Sequence, residues 1–178
     1  MLELKKYIMD NCVKRGEYTL SSGVKSDTYV DVKKALTHPR YLYMISDLMM
    51  SSIDKDVNVV AGVEFGALPI VFSCATLSGC FQYNSLFAVS VRKDEKTYGD
   101  KKRIVGLDNI EKGSKVCIVE DVVTTGGTVL RCAKLLEARG YEIVQIMSVI
   151  DRRMDPVRRD QIGKYKFISL FNLEDIKI

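Results

Sequence analysis

Glu120 and Asp121 stand side by side at the end of the apolar run Val116-Cys117-Ile118-Val119, and Val122-Val123-Thr124-Thr125-Gly126-Gly127-Thr128 follows directly. Adjacent carboxylates accept hydrogen bonds from vicinal hydroxyls such as those of a ribose. Glycines let successive backbone N–H groups close around a phosphate, and a helix starting at that point adds its dipole. Thr124, Thr125 and Thr128 supply hydroxyl donors. The order reads as a buried strand ending in a loop that holds a sugar phosphate. An acidic strand end followed by a glycine turn accounts for two or three of these residues, but not for the whole order.

Other clusters carry charge of a useful kind. Arg92, Lys93 and Lys96 lie within five positions, with Tyr98-Gly99 after them, in the most polar segment of the chain, residues 92–105. On composition alone this is a solvated loop tip. It is equally a mobile basic loop that stabilises a departing polyanion, excludes water and opens again. Asp151-Arg152-Arg153 closes another apolar run, and a planar guanidinium binds a planar carboxylate or carbonyl edge through two parallel hydrogen bonds. Arg153 reads as structural or solvated, and Arg158 and Arg159 as surface charge. Gly62-Val63-Glu64-Phe65-Gly66 forms a further glycine loop. Gly113-Ser114-Lys115 lacks the GxxxxGK[ST] spacing of a nucleotide loop and reads as a turn.

The elements that must position these groups follow from periodicity. Apolar residues at 2, 4, 8, 9, 12 and 13 predict a first helix that ends before Gly16. A polar stretch with β-formers runs from Tyr18 to Val32. Pro39 predicts a helix start and the pattern runs to Met50, so His38 reads as a cap or surface residue and not as a catalytic one. Strands are predicted at Val57–Ala61, Leu86–Val91, 115–119, Glu142–Ile150 and Tyr165–Phe171. Helices are predicted at Ala67–Leu77 and from 127 to about 139, with Gly140 at the C-cap. Strands alternating with helices predict an α/β fold with a mainly parallel sheet flanked by helices on both faces. Ligands bind such sheets beyond the carboxyl ends of the strands. The loops from 62, 92, 120 and 151 all leave strands in that direction.

At 178 residues, with 47% apolar and 28% charged residues, the chain reads as one domain, 1–178, without repeat, linker or low-complexity stretch. No apolar run reaches the roughly 18 residues of a membrane span, and the amino-terminal segment does not read as a signal peptide. The five cysteines form no CxxC and the chain has a single histidine, so a zinc site is not expected and a reducing, cytoplasmic setting is. The net charge of +4 is mild and spread over several segments, which fits acidic small molecules and gives no nucleic-acid signature.

EDVVTTGGT after an apolar strand resembles the phosphoribosyl-pyrophosphate (PRPP) motif of the type I phosphoribosyltransferases. RKxxKxYG upstream of it, and Gly16-Glu17-Tyr18-Thr19-Leu20-Ser21-Ser22-Gly23-Val24-Lys25-Ser26-Asp27-Thr28-Tyr29-Val30-Asp31, are similar to the orotate-specific branch. The resemblance spans about residues 14–153. It implies a type I fold with a small amino-terminal hood over about residues 1–35, and transfer of a 5-phosphoribosyl group from PRPP to orotate with release of pyrophosphate. It implies that Lys96 and Asp121 are catalytic. Lys25, Arg92, Lys93, Lys96, Tyr98 and the run Glu120, Asp121, Val122, Val123, Thr124, Thr125, Gly126, Gly127 and Thr128 would bind PRPP. Lys25, Thr124 and Arg152 would bind orotate. Mg2+ carried by PRPP is the implied cofactor, with no protein ligand assigned, and a homodimer whose basic loop crosses the interface is the implied assembly. The family usually has a histidine where this chain has Tyr98, and many bacterial members have a lysine at the position of Gly66. A purine-type enzyme would share the PRPP loop but lack the SSGVKS hood and the Asp151-Arg152 pair. A PRPP-sensing regulator would bind without turnover.

Overall fold

The computed structural model describes residues 1–19, 25–80, 85–93, 103–153 and 162–176. Helix α1 (Leu2–Cys12) buries Leu4, Ile8 and Cys12, one residue per turn, and hands over directly to β1 (Val13–Thr19). Strand β2 (Lys25–Val30) pairs antiparallel with β1, Val13 opposite Val30, to make a separate two-stranded sheet. This hairpin is the expected hood. A short helix, α2 (Lys33–Leu36), leads to α3 (Pro39–Met50), where Pro39 takes the first helical position as predicted.

The main sheet contains β3 (Val59–Val63), β4 (Phe87–Val91), β5 (Ile104–Val105), β6 (Lys115–Val123), β7 (Glu142–Asp151) and β8 (Lys166–Asn172). Its order is β5-β4-β3-β6-β7-β8, parallel throughout except for β5, which runs back along β4. Helix α4 (Leu68–Cys80) follows β3, α5 (Gly127–Glu137) follows β6, and α6 (Leu173–Ile176) ends the described chain.

Strand residues alternate between two cores. Val60, Cys117, Val119, Met147 and Val149 face α1, α3 and α4, where Leu4, Ile8, Ile45, Met49, Ile70 and Cys74 complete one cluster. Val59, Ala61, Val116, Ile118 and Ile146 face α5 and pack on Val129, Cys132, Ala133 and Leu136. Burial on both faces explains why the strands read as continuous apolar runs.

Three strands depart from the sequence expectation. β6 continues to Val123, because Val122 and Val123 stay in register with Ile150 and Asp151 of β7; Glu120 and Asp121 therefore belong to the strand and not to the loop. β5 has only two residues, too few for a periodic signal, and makes residues 92–103 the connection of an antiparallel pair. The first strand of the main sheet also begins two residues later than expected, at Val59, since Val57 N–H is taken by Asp54 O in a turn.

Candidate functional site

Register puts the carboxyl ends of four strands on one rim: Val63 lies beside Val91, Gly62 beside Val119, and Val123 beside Asp151. Successive crossovers run outward in opposite directions from β3 and β6, so the crevice of this open sheet opens between those two strands. Asp121 and the Gly62–Gly66 loop meet at that place. Gly66 backs so closely on Asp121 that a Cβ there would overlap the carboxylate, and no side chain larger than hydrogen fits without a shift.

Both motif carboxylates are nearly buried. Asp121 Oδ1 accepts the Val122 N–H at 2.8 Å, and its Oδ2 lies 3.6 Å from Lys33 Nζ. Burial, and then the charge of Asp121, push Glu120 well above the ordinary glutamate range. Glu120 also acts on Cys132 of α5, where burial first and this carboxylate second push the thiol up to about 12. The pair thus bridges the two sides of the sheet at its rim.

Beyond β6 the chain turns through Thr124 and Thr125 into α5, with Gly126 as the N-cap at φ +80°. That conformation favours glycine, and a Cβ on Gly126 would lie 2.6 Å from Ile162 Cδ1. The Gly127 N–H reaches Thr125 Oγ1 at 3.4 Å, a long contact. First-turn amides have no intrahelical acceptor, and with the dipole behind them they suit an anion. Arg131, one turn further on, brings Nη2 to 3.5 Å from Thr128 Oγ1.

Arg152 follows β7. Its N–H donates to Val123 O at 2.8 Å, which fixes it beside Thr124. Its Nη2 donates to Thr28 O at 2.7 Å and Ser26 Oγ at 3.1 Å, tying the rim to the hood strand that carries Lys25. The side chain is 7% exposed, yet its buried Nε has no partner among the described residues. Lys25, Thr124 and Arg152, expected to act on one ligand, are thus joined through adjacent residues. Lys25 is exposed and lines a cavity of about 480 Å³ with Glu17, Tyr18, Thr19, Ser26 and Asp27 on the hood. Arg153 is structural: it pairs with Asp151 at 2.9 Å and stacks its guanidinium over Phe167.

Arg92 and Lys93 leave β4 at the same rim. The Lys93 N–H reaches Glu64 Oε1 at 3.3 Å, and Arg103 Nη2 holds Lys93 O at 3.0 Å, so Glu64 orients the start of the basic segment against the glycine loop. Lys96 and Tyr98 lie outside the described residues. Lys33 and Arg131 were not singled out from sequence. Only the tertiary fold shows Lys33 at Asp121, whereas Arg131 was discoverable as a cation three residues beyond Thr128 on the same helix face. Among the described residues no three His, Cys, Asp or Glu side chains gather as a metal site, and no helix is long and apolar enough to cross a membrane.

Comparison with known proteins agrees with this geometry. The family model for the phosphoribosyl transferase domain matches residues 33–174. The chain is 40% identical over 180 residues to the orotate phosphoribosyltransferase of Pyrococcus abyssi, covering 98% of this chain and 93% of that one. It is 37% identical over 167 residues to that of Methanocaldococcus jannaschii, covering 93% and 90%. Among solved structures, Mycobacterium tuberculosis orotate phosphoribosyltransferase in complex with PRPP superposes with a TM-score of 0.76 at 28% identity, over 99% of this chain and 98% of that one.

Proposed function

From its membership of the phosphoribosyl transferase domain family, to which the chain belongs, we propose that it transfers the 5-phosphoribosyl group of PRPP to orotate, giving orotidine 5′-monophosphate and pyrophosphate, a step of pyrimidine nucleotide synthesis. The observation that carries the substrate assignment is Arg152. A buried guanidinium with an unpartnered Nε, beside Thr124 and tied to the strand of Lys25, fits a planar anion with carboxylate and carbonyl edges.

Each cluster then has one task. Amides and hydroxyls from Thr124, Thr125, Gly126, Gly127 and Thr128 hold the 5-phosphate at the start of α5. Asp121 and Glu120 hold the ribose hydroxyls, with Val122 and Val123 forming the backbone beneath them. Lys25, Thr124 and Arg152 hold orotate. Arg92, Lys93 and Lys96, with Tyr98 in place of the family's histidine, draw charge from the leaving pyrophosphate, as a site complementary to the transition state must. Orotate is already an anion, so no residue is needed as a strong base. Two carboxylates at the rim fit a Mg2+ carried in by PRPP itself. When bound, it neutralises the diphosphate as it departs.

The assembly we propose is a homodimer in which the basic loop of one subunit serves the other's site. Helix α4 supports this, since it carries no charged residue and leaves Phe72 53% exposed, close in sequence to Phe65 at 70%. A single domain over residues 1–178 is supported by the shared core, in which α1 and Val30 pack with Val60, Met147 and Phe171. A cytoplasmic location accords with five free cysteines, four of them buried.

Pyrophosphate release with PRPP and each of orotate, adenine, hypoxanthine and uracil tests the reading. Release with orotate alone is expected; release with a purine alone overturns the substrate, and PRPP binding without release from any base makes the chain a sensor.

A further inference from the structure

We infer that Lys33, on the short helix behind the hood, is a positioning residue that holds Asp121 for the ribose hydroxyls and makes PRPP binding depend on how the hood is seated. This rests on the function proposed above. Lys33 Nζ lies 3.6 Å from Asp121 Oδ2 and 3.3 Å from Asp31 Oδ1, so one ammonium bridges the end of the hood and the motif acid of the central strand. Asp31 follows β2 directly, and its N–H donates to Cys12 O at 2.8 Å, which anchors it to the end of α1.

The arrangement has an electrostatic reason. Asp31 and Asp121 share one ammonium, and Glu120 stands next to Asp121 at the buried end of the strand. Asp31 Oδ1 is buried and accepts no hydrogen bond among the described residues, so Lys33 is the charge that answers it. Burial works against the Lys33 ammonium, but Asp121 and then Asp31 outweigh it and raise its pKa. Lys33 is half exposed, which leaves its head able to follow a ligand. On the opposite side Gly66 closes against the same carboxylate. Asp121 is thus held by its own strand through Val122 N–H, bounded by a glycine, and oriented by one cation from another element. A ribose that uses Asp121 gains from that preset orientation, whereas orotate, bound through Arg152 and Lys25, does not touch it.

Steady-state kinetics with PRPP, Mg2+ and orotate on Lys33→Met and Lys33→Arg tests this, alongside calorimetric titration of each protein with Mg2+-PRPP. The expected result is a KM for PRPP about tenfold higher in Lys33→Met, a KM for orotate within about twofold of the parent, and recovery of most of the loss in Lys33→Arg. Equal losses for both substrates, no loss for PRPP, or no recovery by arginine overturns the inference. If Lys33→Met does not fold, Lys33→Met with Asp31→Asn removes the stranded carboxylate. That protein is expected to keep the PRPP defect, and wild-type affinity in it overturns the inference. A parent protein inactive on orotate refutes the proposed function, while the titration still decides the role of Lys33.

Discussion

Arg152 Nη2 lies 2.7 Å from the carbonyl oxygen of Thr28, across 124 residues of sequence, and this bond makes the residue assigned to orotate also the tie between hood and sheet. Burial lowers the Arg152 pKa while Asp27 and Tyr29 raise it, so the hydrogen bonds to β2 are part of what makes a buried cation tolerable. Arg152→Ala is therefore expected to act twice. It raises the KM for orotate by at least about tenfold, and it lowers the unfolding free energy by about 2 kcal/mol, because bonds from a charged donor are lost. Ser26→Ala removes the weaker of the two Arg152 contacts along with the bonds Ser26 Oγ donates to Thr28 O and accepts from Thr28 N–H, and is expected to cost about 1 kcal/mol with little change in KM. Urea denaturation and initial rates separate the two effects, and a stable Arg152→Ala protein would mean the hood is held elsewhere.

Gly126→Ala addresses the phosphate loop. Its φ of +80° costs an L-residue about 1–2 kcal/mol, and the new methyl meets Ile162 Cδ1. Stability and PRPP affinity are both expected to fall. Adding Ile162→Val removes the Cδ1 atom but not the backbone conflict, so the double variant should recover part of the stability and little of the affinity. Full recovery of both would assign the whole effect to packing and none to the turn.

What the sequence made legible is local. Thr124 to Thr128 announce a phosphate loop because glycine and hydroxyl residues act within a few positions, and Pro39 announces a helix start for the same reason. The parallel sheet followed from strands alternating with helices. The extent of β6 did not, because Glu120 and Asp121 interrupt the apolar pattern while Val122 and Val123 resume the ladder with β7. Lys33 is not legible in the sequence, because Asp121 stands 88 positions away and the local run Asp-Val-Lys-Lys carries no motif. Arg152 is legible in the sequence as a candidate ligand residue, but its bond to Thr28 exists only once the hood folds over the rim.

Glu120 gives the stability a pH dependence of defined sign. Its folded pKa is raised well above the ordinary glutamate value by burial and then by Asp121. Between those two values the folded protein binds more protons than the unfolded chain, so stability falls as pH rises through that window and is greatest below it. Glu120→Gln removes the contribution. Thermal midpoints measured from about pH 4.5 upward are expected to decline less steeply in Glu120→Gln than in the parent. Parallel curves for the two proteins would show that Glu120 ionises as freely in the fold as in the unfolded chain.

The proposed dimer makes the sharpest demand, since it would join residues of two subunits in one reaction. Phe72 is half exposed on a helix without a charged residue, and a charge there is costly in an apolar interface. Phe72→Asp is expected to sediment as a monomer and to lose nearly all turnover while keeping the secondary structure of the parent. Complementation then tests whether the basic loop crosses the interface. Lys96→Ala and Asp121→Asn are each expected to be nearly inactive. Mixed and allowed to exchange subunits, they form heterodimers in which one site combines a lysine and an aspartate that are both intact, if the loop acts across the interface. Random pairing then restores about a quarter of the parent activity. If the loop serves its own subunit, each heterodimer site carries one of the two changes, so mixing restores nothing. The doubly substituted chain gives the reverse pattern: mixed with the parent, its heterodimers hold one fully intact site if the loop acts in its own subunit, and two half-substituted sites if it crosses. Activity in isolated heterodimers of that kind would overturn the crossing loop, and its absence, beside recovery in the first mixture, requires it.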